Sequence, residues 1–132
     1  MQYYANSYVS LVSETVFYDQ SLITDFMGGV FFSEKIYKPI LCKHPFILLA
    51  STGALRELRA CGYKTFHPYI DESYDLCQDD DARMDMLVAE INRLSSFTDE
   101  QWLQFQKSVA PILEYNHNLL LAPKDLRVTK DL

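Results

Sequence analysis

The fold is decided by the stretch Pro45-Phe46-Ile47-Leu48-Leu49-Ala50, an unbroken apolar run between a proline and the polar turn Ser51-Thr52-Gly53. A short run of this kind, without polar alternation, is typical of a strand that is buried on both faces. Such strands occur in parallel sheets that helices cover on both sides. We therefore predict that residues 45–50 form the central strand of an α/β domain.

The segments around this run supply further candidate strands. Residues 8–12 alternate loosely between polar and apolar side chains, and residues 63–66 are rich in β-forming types. Between residues 50 and 63, Thr52 is expected to cap a helix and Gly62 to end it in the left-handed conformation. The pattern predicts a compact βαβ unit. The expected fold class is α/β: a small parallel, Rossmann-like sheet of three or four strands with flanking helices and two C-terminal helices.

Two helices are expected in the second half of the chain. The acids Asp79-Asp80-Asp81 suit the start of the first helix, and Thr98-Asp99-Glu100-Gln101 is a capping box for the second. Their apolar residues recur at helical spacing and are expected to lie in the core: Met84, Leu87, Val88, Ile91 and Leu94, then Trp102, Phe105, Val109, Ile112 and Leu113. We expect one domain over residues 1–122 and a polar tail over residues 123–132.

Composition narrows the function classes. The 132 residues suit one domain, and 48% hydrophobic with 23% charged residues excludes a disordered chain. The net charge of −6 disfavours nucleic acid as a partner. Three cysteines without a Cys-x-x-Cys pair favour neither a disulfide framework nor a structural zinc site. The sequence has neither the basic start and apolar stretch of a secretory signal nor an apolar run of about 20 residues. We therefore expect a cytoplasmic protein without a membrane span.

The positive charge is concentrated in one part of the chain. Residues 34–67 carry six basic and two acidic side chains, or +4, while the remainder carries six basic and sixteen acidic ones, or −10. Just before this part, Ser33 suits the N-cap of a short helix in which Lys35 and Lys38 follow within two turns. Ammonium groups near a helix amino end favour a phosphate or diphosphate. A carboxylate beside it, such as Glu34, then needs another partner, for which sugar or ribose hydroxyls are suitable donors.

Residues 71–81 contain six acids. Their spacing does not fit an EF-hand, since Leu76 stands where that loop needs glycine and Ala82 where it needs a bidentate glutamate. We expect a loop that positions acids at the start of the next helix. A looser divalent-cation site is the alternative.

Several of these residues together resemble a known family. Phe32-Ser33-Glu34-Lys35-Ile36, followed nine residues later by Pro45-Phe46-Ile47-Leu48-Leu49, resembles the donor-binding motif of fucosyltransferase-like glycosyltransferases. Upstream, residues 8–14 are similar to the family's strand ending in Phe-Glu-Asn. The resemblance covers roughly the first 50 residues, where the order and spacing of the two pieces carry it.

This resemblance implies the C-terminal, nucleotide-sugar-binding half of a two-domain enzyme of the GT-B type. By analogy, Glu34 would hold donor hydroxyls, Lys35 would contact the diphosphate, and Glu14 would match an earlier acid near the donor. The implied donor-binding set is Glu14, Ser33, Glu34, Lys35 and Lys38. The donor would be a nucleotide-diphosphate sugar, with no metal and no further cofactor. No catalytic residue is assigned, because the family keeps its acceptor site and general base in a further Rossmann-like half.

A second function class stays open from the residues alone. An α/β domain without chemistry of its own would serve as an interaction or subunit module. Its partner would be a second α/β domain or another copy of the chain. Such a module predicts a large apolar surface that the partner buries.

Overall fold

The computed structural model describes residues 8–13 and 34–122. Within them the fold is mixed α/β, with two strands, four α-helices and one 3₁₀ helix. In chain order these are β1 (Ser10–Ser13), α1 (Glu34–Leu41), β2 (Phe46–Leu49), α2 (Ala54–Ala60), the 3₁₀ helix (Ser73–Leu76), α3 (Asp80–Ser95) and α4 (Asp99–Leu121).

Strands β1 and β2 pair in parallel, with Ser10 opposite Phe46 and Ser13 opposite Leu49. Phe46, Ile47 and Leu48 are buried, as predicted for the central apolar run. Helix α1 lies between the two strands in the chain, so the βαβ unit spans residues 10–49 rather than residues 45–66. The helix of a βαβ unit runs back against its strands, so we expect the amino end of α1 at the carboxyl edge of the sheet.

The predicted third strand at residues 63–66 is wrong, because a side chain takes the place of a neighbouring strand. The amide of Asn116, which is 1% exposed, accepts a hydrogen bond from Lys64 N at 2.8 Å and donates one to Lys64 O at 2.8 Å. This pair of bonds is the same one that a strand residue would exchange across a ladder. The Asn116 side chain, which belongs to helix α4, thus satisfies both the N–H and the C=O group of Lys64.

A buried carboxylate completes the hydrogen bonding of the same segment. Glu72 accepts bonds from Phe66 N at 2.9 Å and from His67 N at 3.2 Å. Buried backbone groups need partners of some kind, and here side chains supply them. The described residues therefore form a two-stranded parallel sheet rather than one of three or four strands.

Helix α1 continues for two residues beyond Pro39 and then stops in a Schellman motif. His44 N donates to Pro39 O at 2.9 Å, and Lys43 N donates to Ile40 O at 3.2 Å. The residue in the left-handed position is Lys43, with φ 54°, where glycine is the usual choice. Helix α2 ends in the same motif with the expected Gly62, at φ 102°.

The starts of both C-terminal helices are confirmed. Asp79 caps α3 by accepting a bond from Ala82 N at 2.8 Å. Thr98 and Gln101 form the capping box of α4. Leu87, Leu94, Phe105 and Val109 lie in the core, in line with the predicted apolar positions.

Two members of the predicted apolar positions on α3 do not reach the core. Met84 is 49% exposed and Val88 is 47% exposed. The face of α3 that packs inward is formed by Leu87, Glu90 and Leu94. Met84 and Val88 lie beside this buried face. The predicted tail, residues 123–132, lies outside the described residues.

Candidate functional site

The predicted donor site centres on the amino end of helix α1. The helix begins at Glu34. Ile36 and Ile40 on it are buried, whereas Lys35 and Lys38 are exposed. Residues three apart share a helix face, so both ammonium groups belong to the solvent side of α1. The structure therefore brings together two of the five predicted donor residues on one exposed face.

The other three predicted residues are located only in part. Glu34 occupies the first helical position through its backbone. Glu14 and Ser33 lie outside the described residues. Convergence of all five residues on one site therefore stays a prediction. The helix start that such a site requires is present at residue 34.

Helix α2 also begins at the carboxyl edge of the sheet, four residues after β2. Its first amides are occupied by the carboxylate of Asp75, which is 3% exposed. Leu55 N donates to one carboxylate oxygen at 2.9 Å and Arg56 N to the other at 3.1 Å. An internal anion already fills this amino end, so no ligand anion can bind there.

The prediction that Thr52 caps α2 is wrong. Gly53 stands at the N-cap with φ 81°, and no side chain of its own turn caps the helix. The Thr52 hydroxyl donates instead to Asp75 O at 2.8 Å, and Gly53 N donates to the same oxygen at 2.8 Å. Asp75 therefore fixes both the turn before α2 and its first amides. Nothing in local spacing indicates these contacts, since Thr52 and Asp75 are 23 residues apart.

Arg59 of α2 faces the two buried carboxylates. Its guanidinium lies 3.9 Å from a carboxylate oxygen of Glu72 and 4.0 Å from one of Asp75. It also donates a hydrogen bond to the Thr65 hydroxyl at 3.1 Å. Burial raises the pKa of Glu72, and the hydrogen bonds from Phe66 N, Thr65 and His67 N together with Arg59 only partly offset this effect.

These groups line an open polar cleft of about 480 Å³. Its lining residues are Arg59, Thr65, His67, Asp71, Glu72, Ser73, Asp75 and Leu76. The buried carboxylates in it already bind backbone amides. The Asp71 carboxylate binds both the amide and the hydroxyl of Ser73, which lowers its pKa. The carboxylates of the cleft therefore serve mainly as hydrogen-bond acceptors for the chain's own backbone amides.

The acid-rich segment divides into inward and outward roles. Glu72 and Asp75 turn inward, whereas Asp79 caps α3 as the sequence predicts. Among the residues that the structure describes, no group of three or more His, Cys, Asp or Glu side chains is arranged to hold a metal ion.

An apolar groove of about 260 Å³ lies between the β1 segment and the C-terminal helices. Tyr8, Val9 and Leu11 line it from the β1 side, and Ile47 from β2. The helices contribute Ile91, Leu94, Ser95 and Trp102. No signal in the sequence separates these residues from ordinary core positions.

Comparison with family models, curated proteins and solved structures finds no match to this chain. No helix in the described ranges is long and apolar enough to cross a bilayer. Functional inference must therefore start from the contacts of the residues themselves.

Proposed function

We propose that the chain is a glycosyltransferase-type domain that binds a nucleotide-diphosphate sugar at the amino end of α1. The observation that carries this proposal is the exposed pair Lys35 and Lys38 on a helix that lies, in chain order, between two parallel strands. Ligands of open α/β sheets collect at the carboxyl ends of the strands, where such helices begin. The likeness of residues 32–49 to the fucosyltransferase-like donor motif indicates the class of ligand, a nucleotide-diphosphate sugar.

Each proposed contact follows from the chemistry of the group. The first amides of α1 and the Lys35 ammonium bind the diphosphate, and Lys38 adds positive charge one turn further on. Ser33 immediately precedes α1 in the sequence, and in this proposal the carboxylates of Glu34 and Glu14 accept hydrogen bonds from sugar or ribose hydroxyls. Fixed cations and helix amides would stabilise the charge on the departing nucleoside diphosphate without a bound metal.

Sugar transfer needs more than the donor site. The acceptor and the general base are expected on a second α/β domain. The strand pattern of the sequence predicts a Rossmann-like sheet of three or four strands, and the described residues contain two of them. Diphosphate binding in this proposal uses the start of α1 with Lys35 and Lys38, while Glu14 and Glu34 are proposed for the hydroxyls of the donor.

Isothermal titration calorimetry with GDP, UDP and their sugars tests this function. We expect saturable heat with at least one nucleoside diphosphate at submillimolar to millimolar concentration. The corresponding unphosphorylated nucleoside, as the matched control, should give none. No heat with any diphosphate at millimolar concentration would contradict the proposal.

One observation favours a second candidate function, that of an interaction module. The apolar groove beside β1 is bordered by Leu11, which is 56% exposed, and Tyr8, which is 47% exposed. Apolar groups that stay in contact with water at one place mark a surface that a partner covers. The two candidates use different parts of the molecule and are separable by mutation.

A further inference from the structure

The polar cleft beside α2 holds a cation and an anion whose bonding groups the fold uses only in part. The cleft measures about 480 Å³, a volume within the range of small-molecule sites. Its cation is Arg59, from α2, and its exposed anion is Asp71, from the acid-rich segment. The exposed side chain of Leu76 lines the same cleft. These three side chains, unlike the buried carboxylates, are accessible to a ligand.

Arg59 makes one hydrogen bond among the described residues, to the Thr65 hydroxyl at 3.1 Å. Its guanidinium lies 3.9 Å from Glu72 and 4.0 Å from Asp75, beyond hydrogen-bond distance. Each oxygen of these two carboxylates already accepts a hydrogen bond from a main-chain amide. Most N–H groups of the guanidinium are therefore available to a ligand, in a planar fork that matches the geometry of a carboxylate.

The carboxylate of Asp71 has one oxygen in use. The hydroxyl and the amide of Ser73 both donate to Oδ1, at 2.7 Å and 3.0 Å. Within the described part of the chain, Oδ2 accepts no hydrogen bond. The two bonds from Ser73 lower the pKa of Asp71, so the carboxylate is ionised at neutral pH. Its Oδ2 atom is therefore an open acceptor for an ammonium group.

The charges of the cleft favour a ligand that carries both signs. A ligand with negative charge alone would meet the carboxylates of Asp71, Glu72 and Asp75 as well as Arg59. A ligand with positive charge alone would meet the guanidinium. A zwitterion pairs each of its charges with the opposite one. A free α-amino acid is a ligand of this kind, and its side chain would contact Leu76, which is 74% exposed.

We propose that the polar cleft binds a free α-amino acid with an apolar side chain. The α-carboxylate accepts hydrogen bonds from the guanidinium of Arg59, and the α-ammonium group donates to Oδ2 of Asp71. The apolar side chain packs on Leu76. This inference is independent of nucleotide-sugar binding at α1, which uses another part of the molecule.

Titration of the ¹⁵N-labelled full chain with L-leucine tests the inference directly. We expect the amides of His67, Asp71 and Ser73, which line the cleft, to shift saturably at millimolar ligand. Isoamylamine, which is leucine without its carboxylate, and isocaproate, which is leucine without its amino group, are the matched control ligands. Each lacks one of the two charges and should bind about tenfold more weakly, or not at all.

Substitutions in the cleft separate the two charged contacts. Asp71→Asn, at an exposed position, and Arg59→Gln should each raise the Kd for L-leucine about tenfold. Arg56→Gln on the same helix and Asp85→Asn on α3 remove exposed charges that do not line the cleft, and they should leave the Kd unchanged. Circular dichroism establishes that each variant is folded. Asp71→Asn keeps the test decisive if Arg59→Gln, which faces buried carboxylates, does not fold.

Any of three results would overturn the inference. The first is that L-leucine shifts none of the cleft amides. The second is that isoamylamine or isocaproate binds as tightly as L-leucine, and the third is that Asp71→Asn binds L-leucine as tightly as the wild type does. Lys35→Ala should leave L-leucine binding unchanged, which separates this inference from the donor-site proposal.

Discussion

Helices α1 and α2 end alike and begin differently. Both end in a Schellman motif with one residue in the left-handed conformation, Lys43 in α1 and Gly62 in α2. At their amino ends, however, α2 is closed by the buried carboxylate of Asp75, whereas α1 presents Lys35 and Lys38 on its exposed face. A helix amino end is an anion site in general. The difference shows that a side chain from elsewhere in the chain can occupy a helix amino end, and it is the reason why we propose the external anion at α1 and not at α2.

The internal anion at α2 is expected to produce the largest effect. Asp75→Ala removes the acceptor of two buried amides and should lower the free energy of unfolding by roughly 3 kcal/mol. Asp79→Ala removes the exposed cap of α3 and should cost about 1 kcal/mol in the same urea titrations. An equal or larger loss at Asp79 would mean that the Asp75 carboxylate does not hold the start of α2.

The external anion proposed at α1 is tested by a matched pair of charge deletions. Lys35→Ala should weaken nucleoside-diphosphate binding by roughly 1.5–3 kcal/mol, about ten- to hundredfold in Kd, because it removes a charged hydrogen-bond donor. Arg56→Ala removes an exposed cation from the start of α2 and should leave Kd unchanged. Calorimetry that shows the reverse order would place the anion at α2 and contradict the proposed site.

The two carboxyl ends should respond in opposite directions to changes of their left-handed residue. Gly62→Ala should lower the free energy of unfolding by about 1 kcal/mol, since an L side chain is strained at φ 102° and the new Cβ would lie 3.3 Å from Leu119 Cδ2. Lys43→Gly should raise it by about 0.5–1 kcal/mol.

The Lys43 substitution needs a control for its ion pair. Lys43 lies 2.8 Å from Glu114, and both side chains are about half exposed. Such a pair contributes little, so Lys43→Ala, which keeps the strained conformation, should change the free energy of unfolding only slightly. If Lys43→Ala stabilised the chain as much as Lys43→Gly, the left-handed strain would not be the cause.

The buried carboxyl group of Glu72 should also give the stability a pH dependence of defined sign. Burial raises the pKa of Glu72, so the folded chain binds this proton more tightly than the unfolded chain does. The stabilisation from protonated Glu72 is complete below the ordinary glutamate pKa and is lost as pH rises through the raised value. Glu72→Gln, which does not titrate, should therefore lose stability relative to wild type as pH falls from 7 to 4. A difference that grows toward neutral pH would show that ionised Glu72 is the favoured form.

The sequence predicts those parts of the molecule whose signals are local. Asp79, Gly62 and the capping box at residues 98–101 act on neighbours within a turn, and all three are confirmed. The buried run at 45–50 is likewise explained by its own composition. Residue type and short spacing are sufficient for these features.

The errors arise where distant side chains override local preference. Thr52 is a suitable cap by type, yet Asp75 fills that role from 20 or more residues away. Residues 63–66 have strand-forming composition, yet Asn116 satisfies Lys64 across 52 positions. The exposed Met84 and Val88 show the same limit, because helical spacing indicates an apolar face without showing what covers it. For the donor site, residue type at Ser33 and Glu34 predicted a helix start, which the structure has at residue 34, while the ligand is a proposal.

The most direct test of the donor site is a titration of ¹⁵N-labelled chain with UDP and with GDP, followed by amide chemical shifts. We predict that the amides of Glu34, Lys35 and Ile36 shift saturably with at least one of the two ligands. Those of Leu55 and Arg56, already bonded to Asp75, should stay in place. Shifts confined to Leu55 and Arg56, or no shift at residues 34–36 at saturating ligand, would contradict the proposal that α1 binds the diphosphate.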